Sequence, residues 1–148
     1  MRSIALIILL TLNYLAANKL SAQNMKLKIT IENKEFTATL NDSEATQELV
    51  KLLPMTVTMN ELNGNEKYYD LPSKMPGRAT NPGHANTGDL MIWSSRTLVL
   101  FYSGVSTSYS YIRLGKIDNT SKLQEAVGRG NIKITYELEK QNKGKDKE

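Results

Sequence analysis

Apolar and polar positions alternate along most of this chain, and the period changes only at a few places. In "KLKITIE" Leu27, Ile29 and Ile31 fall on one face, and in "EFTATL" Phe36, Ala38 and Leu40 do the same. A period of two is that of a half-buried strand, so the two runs, with the polar "NK" between them, predict a hairpin. "NDSEATQELVKLLP" then places Ala45, Leu49, Leu52 and Leu53 at helical spacing, with Asn41, Asp42 and Ser43 as capping residues and Pro54 as the stop. This predicts one amphipathic helix over about residues 43–53. Period two returns in "MTVTMNEL". Asn63 and Gly64 tolerate positive φ and predict a tight turn into the return strand "EKYYDL".

From Pro72 to Thr87 the pattern lapses, and three of the four prolines of the chain fall there. A long loop in a compact domain often carries function, and this one is expected to gate a groove. "GDLMIWSSRTLVLFY" reads as strand, polar turn and strand. Leu98 to Phe101 is apolar at every position, as in a strand buried on both sides. "YSYIRLGKI" is a further strand, "TSKLQEAV" a short helix over about 120–127, "GRGN" a link, and "IKITYELE" a closing strand. Such an order predicts a mainly β fold: a closed or nearly closed barrel of about eight strands, with the two helices covering its open ends.

The first residues do not belong to that pattern. "MRSIALIILLTLNYLAANKLSAQ" has Arg2, a mostly apolar run from Ile4 to Leu12, and small residues ending at Ala22. These are the three parts of a cleavable export signal, and nine residues fall short of the roughly 20 that span a bilayer. The chain thus divides into a signal over 1–22, a barrel domain over 25–139 and a charged, frayed tail over 140–148, with a periplasmic or extracellular destination and no integral membrane segment after cleavage. The whole chain of 148 residues carries a net charge of +4. Without Arg2 and Lys19 this becomes 17 basic against 15 acidic residues, and several of the bases crowd "KQNKGKDKE". No basic stripe of the kind that tracks phosphates is present, so nucleic acid is not an expected partner. With no cysteine in the chain, disulfides, thiolate metal sites and a lipid-modified cysteine are excluded.

Candidate chemistry is sparse. His84, the single histidine, lies in a loop without carboxylates at metal-ligand spacing, so neither a metal nor a cofactor is expected. Asp89, after Gly88, suits a turn that accepts backbone amides. Asp70 has no second carboxylate beside it for acid–base work. In "YSYIRLG", Tyr109, Tyr111 and Arg113 share one face while Ile112 and Leu114 share the other. The Tyr-Tyr-Arg face reads either as a cross-strand aromatic ladder that stiffens the sheet or as a binding face, where a guanidinium and two phenol rings meet an anion or a backbone carbonyl. Trp93 fits either the core or a rim.

The run from Met25 to Glu139, through "ELNGNEKYY", "GDLM", "LVLFY" and "RLGKI", resembles the bacterial cyclophilin-like domain family. That family shares the barrel of the cyclophilin peptidyl-prolyl isomerases and has no established function as a group. The resemblance implies where an isomerase site would sit: Tyr69 in the place of the catalytic arginine, Leu98 in that of a glutamine, Leu100 in that of an aromatic, and Tyr111 in that of a histidine. No arginine lies on the "EKYYDL" strand. The resemblance therefore implies the barrel without the catalytic donor, and no catalytic residue is assigned. The expected protein is an exported, non-catalytic barrel that binds a peptide or small molecule through Tyr69, Tyr109, Tyr111 and Arg113. The alternatives are a divergent prolyl isomerase using Arg113 or Arg78, and a structural or partner-docking protein of the envelope.

Overall fold

The computed structural model describes residues 25–140; the expected signal over 1–22 and nearly all of the expected tail over 140–148 lie outside the described residues. Ten strands and two helices follow in the order β1 (Lys26–Ile31), β2 (Lys34–Leu40), α1 (Glu44–Lys51), β3 (Met55–Leu62), β4 (Glu66–Asp70), β5 (His84–Ala85), β6 (Asp89–Trp93), β7 (Thr97–Phe101), β8 (Val105–Ser106), β9 (Tyr111–Ile117), α2 (Leu123–Val127) and β10 (Ile132–Leu138). Eight of the strands close into an antiparallel barrel in the order β1-β10-β3-β4-β7-β6-β9-β2, and β5 pairs only with β8.

Alternation in the sequence becomes inside and outside of the barrel. Leu27, Ile29 and Ile31 of β1 are buried in one interior cluster with Phe36, Ala38 and Leu40 of β2, Ile134 and Tyr136 of β10, and Val57 and Met59 of β3. The Tyr136 hydroxyl donates to the Met59 thioether at 3.0 Å, so the largest side chain of the interior leaves no unpaired polar group. The turn between β1 and β2 is carried by Glu32 and Asn33, one residue earlier than the sequence suggested, with Glu32 at φ 55°. Asn63 (φ 56°) and Gly64 (φ 70°) make the β3–β4 turn as expected.

Helix α1 starts where Ser43 accepts a hydrogen bond from the Thr46 amide at 3.3 Å, relieving one of the orphan donors of the first turn. Its Ala45 and Leu49, and Leu123 and Val127 of α2, complete the interior cluster. Leu52 and Leu53 pack against that cluster half-buried. Asn41 ties this corner to β9, donating through Nδ2 to the Arg113 carbonyl at 2.8 Å and accepting from the Ser43 hydroxyl at 2.7 Å.

One interior position departs from the apolar pattern. Lys67 faces inward on β4 and its side chain is fully buried. The ammonium donates to Glu61 Oε1 at 2.9 Å and to the carbonyls of Gly128 at 3.0 Å and Gly130 at 2.6 Å, so all three of its donors are used. It also lies 4.9 Å from the centre of the Tyr102 ring. Tyr102 donates to the same carboxylate oxygen of Glu61 at 2.5 Å, and Glu61 Oε2 accepts the Gly64 amide at 2.8 Å. The "GRGN" link is thus more than a connection, because its carbonyls complete the coordination of a buried ammonium.

Burial tends to push the Glu61 carboxyl up, but the hydrogen bonds from Tyr102, Lys67 and the Gly64 amide outweigh it and hold the group below its ordinary value. The Tyr102 hydroxyl is pushed up to about 12, by burial first and then by its bond to Glu61. A carboxyl whose folded value is depressed contributes stability that is complete above its unfolded value and lost as pH falls through the folded one. The urea midpoint is therefore expected to fall between pH 7 and pH 3, with the loss concentrated below about pH 4. The same titration on Glu61→Gln should lack the Glu61 part of that step and keep the part from Asp118, where burial is likewise outweighed by hydrogen bonds from Thr39 and Lys26.

Candidate functional site

The outer face of the barrel is where concavity appears, and strand register decides which residues reach it. On β4 and β7 the pairs Asp70–Thr97, Tyr68–Val99 and Glu66–Phe101 point outward. β6 and β9 continue two of these rows, with Trp93 and Tyr111 beyond Thr97, and Met91 and Arg113 beyond Val99. Phe101, Val99, Met91, Tyr111 and Ala85 form a second apolar cluster, separate from the interior. Leu98 to Phe101 is buried on both sides as the sequence suggested, and the cover on the outer side is the β5/β8 flap. Ala85 pairs with Val105 and His84 with Ser106.

Between that flap and the sheet lies a cavity of about 550 Å³, within the size range of small-molecule sites. Its floor is the outer face of β4 and β7 with Glu66, Tyr68, Asp70, Thr97 and Val99, and its far wall is Trp93 and Tyr111. The roof runs from Val105 to Tyr109, and the β3–β4 turn contributes Leu62, Asn63 and Asn65. Trp93 and Tyr109 meet edge to face at 6.1 Å and 76°, both exposed at the rim. Tyr111 meets Phe101 in the same way at 5.7 Å and sits 3.4 Å from the Thr107 hydroxyl. Burial raises the Tyr111 phenol above its ordinary value, so the ring presents a neutral hydroxyl to the cavity at pH 7.

The carboxylates differ in their partners. Asp70 accepts from the Thr97 hydroxyl at 2.6 Å. Glu66 has no side-chain hydrogen bond or ion pair among the described residues. Burial, and next the charge of Glu61, raise its carboxyl above the ordinary value. Asn65 Oδ1 is buried without a partner on the same lining.

Of the four residues the sequence singled out, Tyr109 and Tyr111 come together at this cavity. Tyr69 does not reach it: paired with Leu98, it turns inward and packs on the interior cluster. Leu98 and Leu100 are interior as well, so Tyr68, Val99 and Phe101 are the residues presented outward at those levels. Arg113 is exposed on the outer face, but the buried Met91 stands between it and Val99, and it does not line the cavity. The proline-rich loop contributes no lining residue. Its role is to brace: Thr80 exchanges both backbone hydrogen bonds with Tyr111 at 2.9 Å, and β5 holds β8. The cover over the cavity comes from 105–109, most of it in the stretch before "YSYIRLGKI" to which the sequence pattern assigns no element.

Other candidates take structural places. Asp89 Oδ2 accepts the Asn86 amide at 2.8 Å, ending a turn as expected. His84 is exposed on the flap. Among the described residues no group of three or more His, Cys, Asp or Glu is placed to hold a metal ion, and no helix is long and apolar enough to cross a membrane.

A closed eight-stranded antiparallel barrel with two covering helices and a flap-capped groove on its outer wall defines a barrel of the cyclophilin type. The model of the Cyclophilin-like family matches residues 29–137, and the chain belongs to that family. A hypothetical protein of Archaeoglobus fulgidus, known from its solution structure, has a similar fold: the TM-score is 0.58 at 18% identity, covering 79% of this chain and 96% of that one. No curated protein matches the chain.

Proposed function

We propose that this protein is an exported, non-catalytic binding barrel whose ligand lies in the outer-wall cavity between β4, β7 and the 105–109 cover. The observation that carries the reading is the cavity itself: about 550 Å³, with an aromatic and apolar lining and a few converging polar groups, the usual make-up of a ligand pocket. Binding without isomerisation is favoured because loosening a prolyl amide needs a fixed donor aimed at it. The guanidinium that such a mechanism would use is absent from the lining: Arg113 lies beyond Met91, and Arg78 is exposed and does not line the cavity. Export rests on the layout of Met1 to Ala22.

The test is NMR on the isotope-labelled protein with an Xaa-Pro peptide, reading amide shifts and cis/trans exchange of the peptide together. The expected result is no acceleration of exchange. Acceleration by catalytic amounts of protein that is lost in Arg113→Ala would install a divergent isomerase instead. A protein in which peptides and small-molecule sets alike leave the amides of Tyr68, Val99 and Tyr111 unmoved would belong to the envelope-docking class.

A further inference from the structure

The charge on the cavity lining has one sign. Glu66 and Asp70 are its ionisable carboxylates, and no Lys, Arg or His contributes to the lining, although the whole chain carries a net charge of +4. The two acids alternate with Tyr68 on the outer face of β4. Adjacent members of that row stand roughly 7 Å apart at Cα, given a strand rise of about 3.4 Å per residue. A group resting on the Tyr68 ring therefore has a carboxylate on either side along the strand. Trp93, Tyr109 and Tyr111 supply three further aromatic groups on the wall and rim.

We infer that the ligand of this cavity is an organic cation: an alkylammonium or guanidinium group on a compact apolar body. This deepens the reading of the cavity as a ligand site and rests on it. Aromatic faces attract a cation within about 6 Å of the ring centre, most strongly where water is excluded. Glu66 supplies the opposite charge; it is half-buried, unpaired among the described residues, and held in a place that disfavours its own ionised form. A bound cation would relieve that cost, whereas an anion would add to it. The unpartnered buried atom on the lining, Asn65 Oδ1, is likewise an acceptor.

A metal ion does not fit the same groups. Glu66 and Asp70 lie about 14 Å apart along the strand, and no third ligand joins them among the described residues. A lone ammonium would leave most of 550 Å³ unfilled, so the remainder of the ligand packs against Val99, Val105 and Leu62.

Trp93 is the single tryptophan of the chain and stands on the rim, so its fluorescence reports occupancy directly. The full-length protein is titrated with choline and with 3,3-dimethylbutan-1-ol, the uncharged isostere in which carbon replaces the nitrogen. The expected result is at least about tenfold tighter binding of choline, the size of one cation–π contact in a water-poor site. Glu66→Gln should weaken choline about five- to tenfold and leave the alcohol unchanged. Because Glu66 ionises against its surroundings, this variant should unfold at no lower temperature than the parent. A third arm uses acetyl-Gly-Lys-Gly-amide beside its Nε-acetylated form: selective binding of the charged peptide supports a cation delivered on a side chain, and binding of choline alone supports a free small molecule. Equal affinity for choline and the alcohol would overturn the cation while keeping the ligand site. Tyr68→Ala with undiminished choline binding would overturn it too. Silence of Trp93 in every arm would remove both.

Discussion

Gly115→Ala is expected to lower stability by about 3 kcal/mol, at the upper end of what overpacking costs, and the melting temperature by about 10 °C. β9 is flanked by β2 on one side and β6 on the other, and Gly115 pairs with Leu40 and with Leu90 at once. Next to it the register with β6 shifts, since Leu90 partners Gly115 while Met91 partners Arg113. Closing the barrel at this irregular point brings the neighbouring backbone very near. A Cβ on residue 115 would overlap the Thr39 carbonyl oxygen and stand 3.0 Å from Leu40 Cα. Those are main-chain atoms, so no rotamer change relieves the overlap, and the strands must separate. Gly130→Ala is the control. A Cβ there meets nothing within 4 Å, and the change should stay within about 0.5 kcal/mol. Equal effects at both positions, measured by urea unfolding, would show that close approach of the strands is not what requires glycine at 115.

Glu61→Ala should cost about 3 kcal/mol, because it strands a fully buried ammonium and breaking a buried pair from one side typically costs about 3–5 kcal/mol. The lower end applies for two reasons: Lys67 keeps the carbonyls of Gly128 and Gly130, and the Glu61 side chain retains some solvent contact. Replacing the whole pair is a different matter. In Glu61→Leu with Lys67→Met both desolvation costs disappear, but the Tyr102 hydroxyl, the Gly64 amide and the Gly128 and Gly130 carbonyls lose their partners. The double variant should therefore cost about as much as Glu61→Ala alone and not the sum of two single changes. The two substitutions are then strongly non-additive, as expected for residues in one network. A single variant costing under about 1 kcal/mol would show that the pair contributes little to the fold.

The same lysine explains where the sequence misleads. On "EKYYDL" the buried Leu71 fixes the parity: counting back by two puts Tyr69 inside and Tyr68 outside. Lys67 shares the parity of Leu71, and a lysine on the core face defeats a reading based on apolar alternation. Its partners, Glu61, Tyr102 and the Gly128–Gly130 carbonyls, are remote in sequence or on other elements, so nothing local announces them. β1, β2, β3 and β10 are legible because each has one face against the interior and one toward solvent. α1 is legible from its spacing, its cap and Pro54.

The flap is not legible. β5 and β8 are two residues each, His84–Ala85 and Val105–Ser106, too short to show a period, and they are strands only because they pair with each other. With no element assigned to "SGVSTSYS", the cover over the cavity disappears and the proline-rich loop inherits its role. Alternation puts Arg113 on the correct face, yet whether a groove reaches it depends on Met91 of the neighbouring strand. Glu66 and Asp70 give no signal of a site for a related reason. A lone carboxylate carries no catalytic signature, and the alternation Glu66-Tyr68-Asp70 gains meaning only beside the aromatic groups that β6, β8 and β9 bring to it.

If the outer wall, and not the barrel interior, holds the ligand, an amide shift map of the full-length, isotope-labelled protein titrated with choline will show it. Movement is expected at Glu66, Tyr68, Val99, Thr107, Tyr109 and Tyr111, with Glu61, Ile134 and Met59 unmoved. Shifts centred on Glu61 and Lys67, or on Arg113 without Tyr68, would place the ligand elsewhere and contradict the outer-wall site.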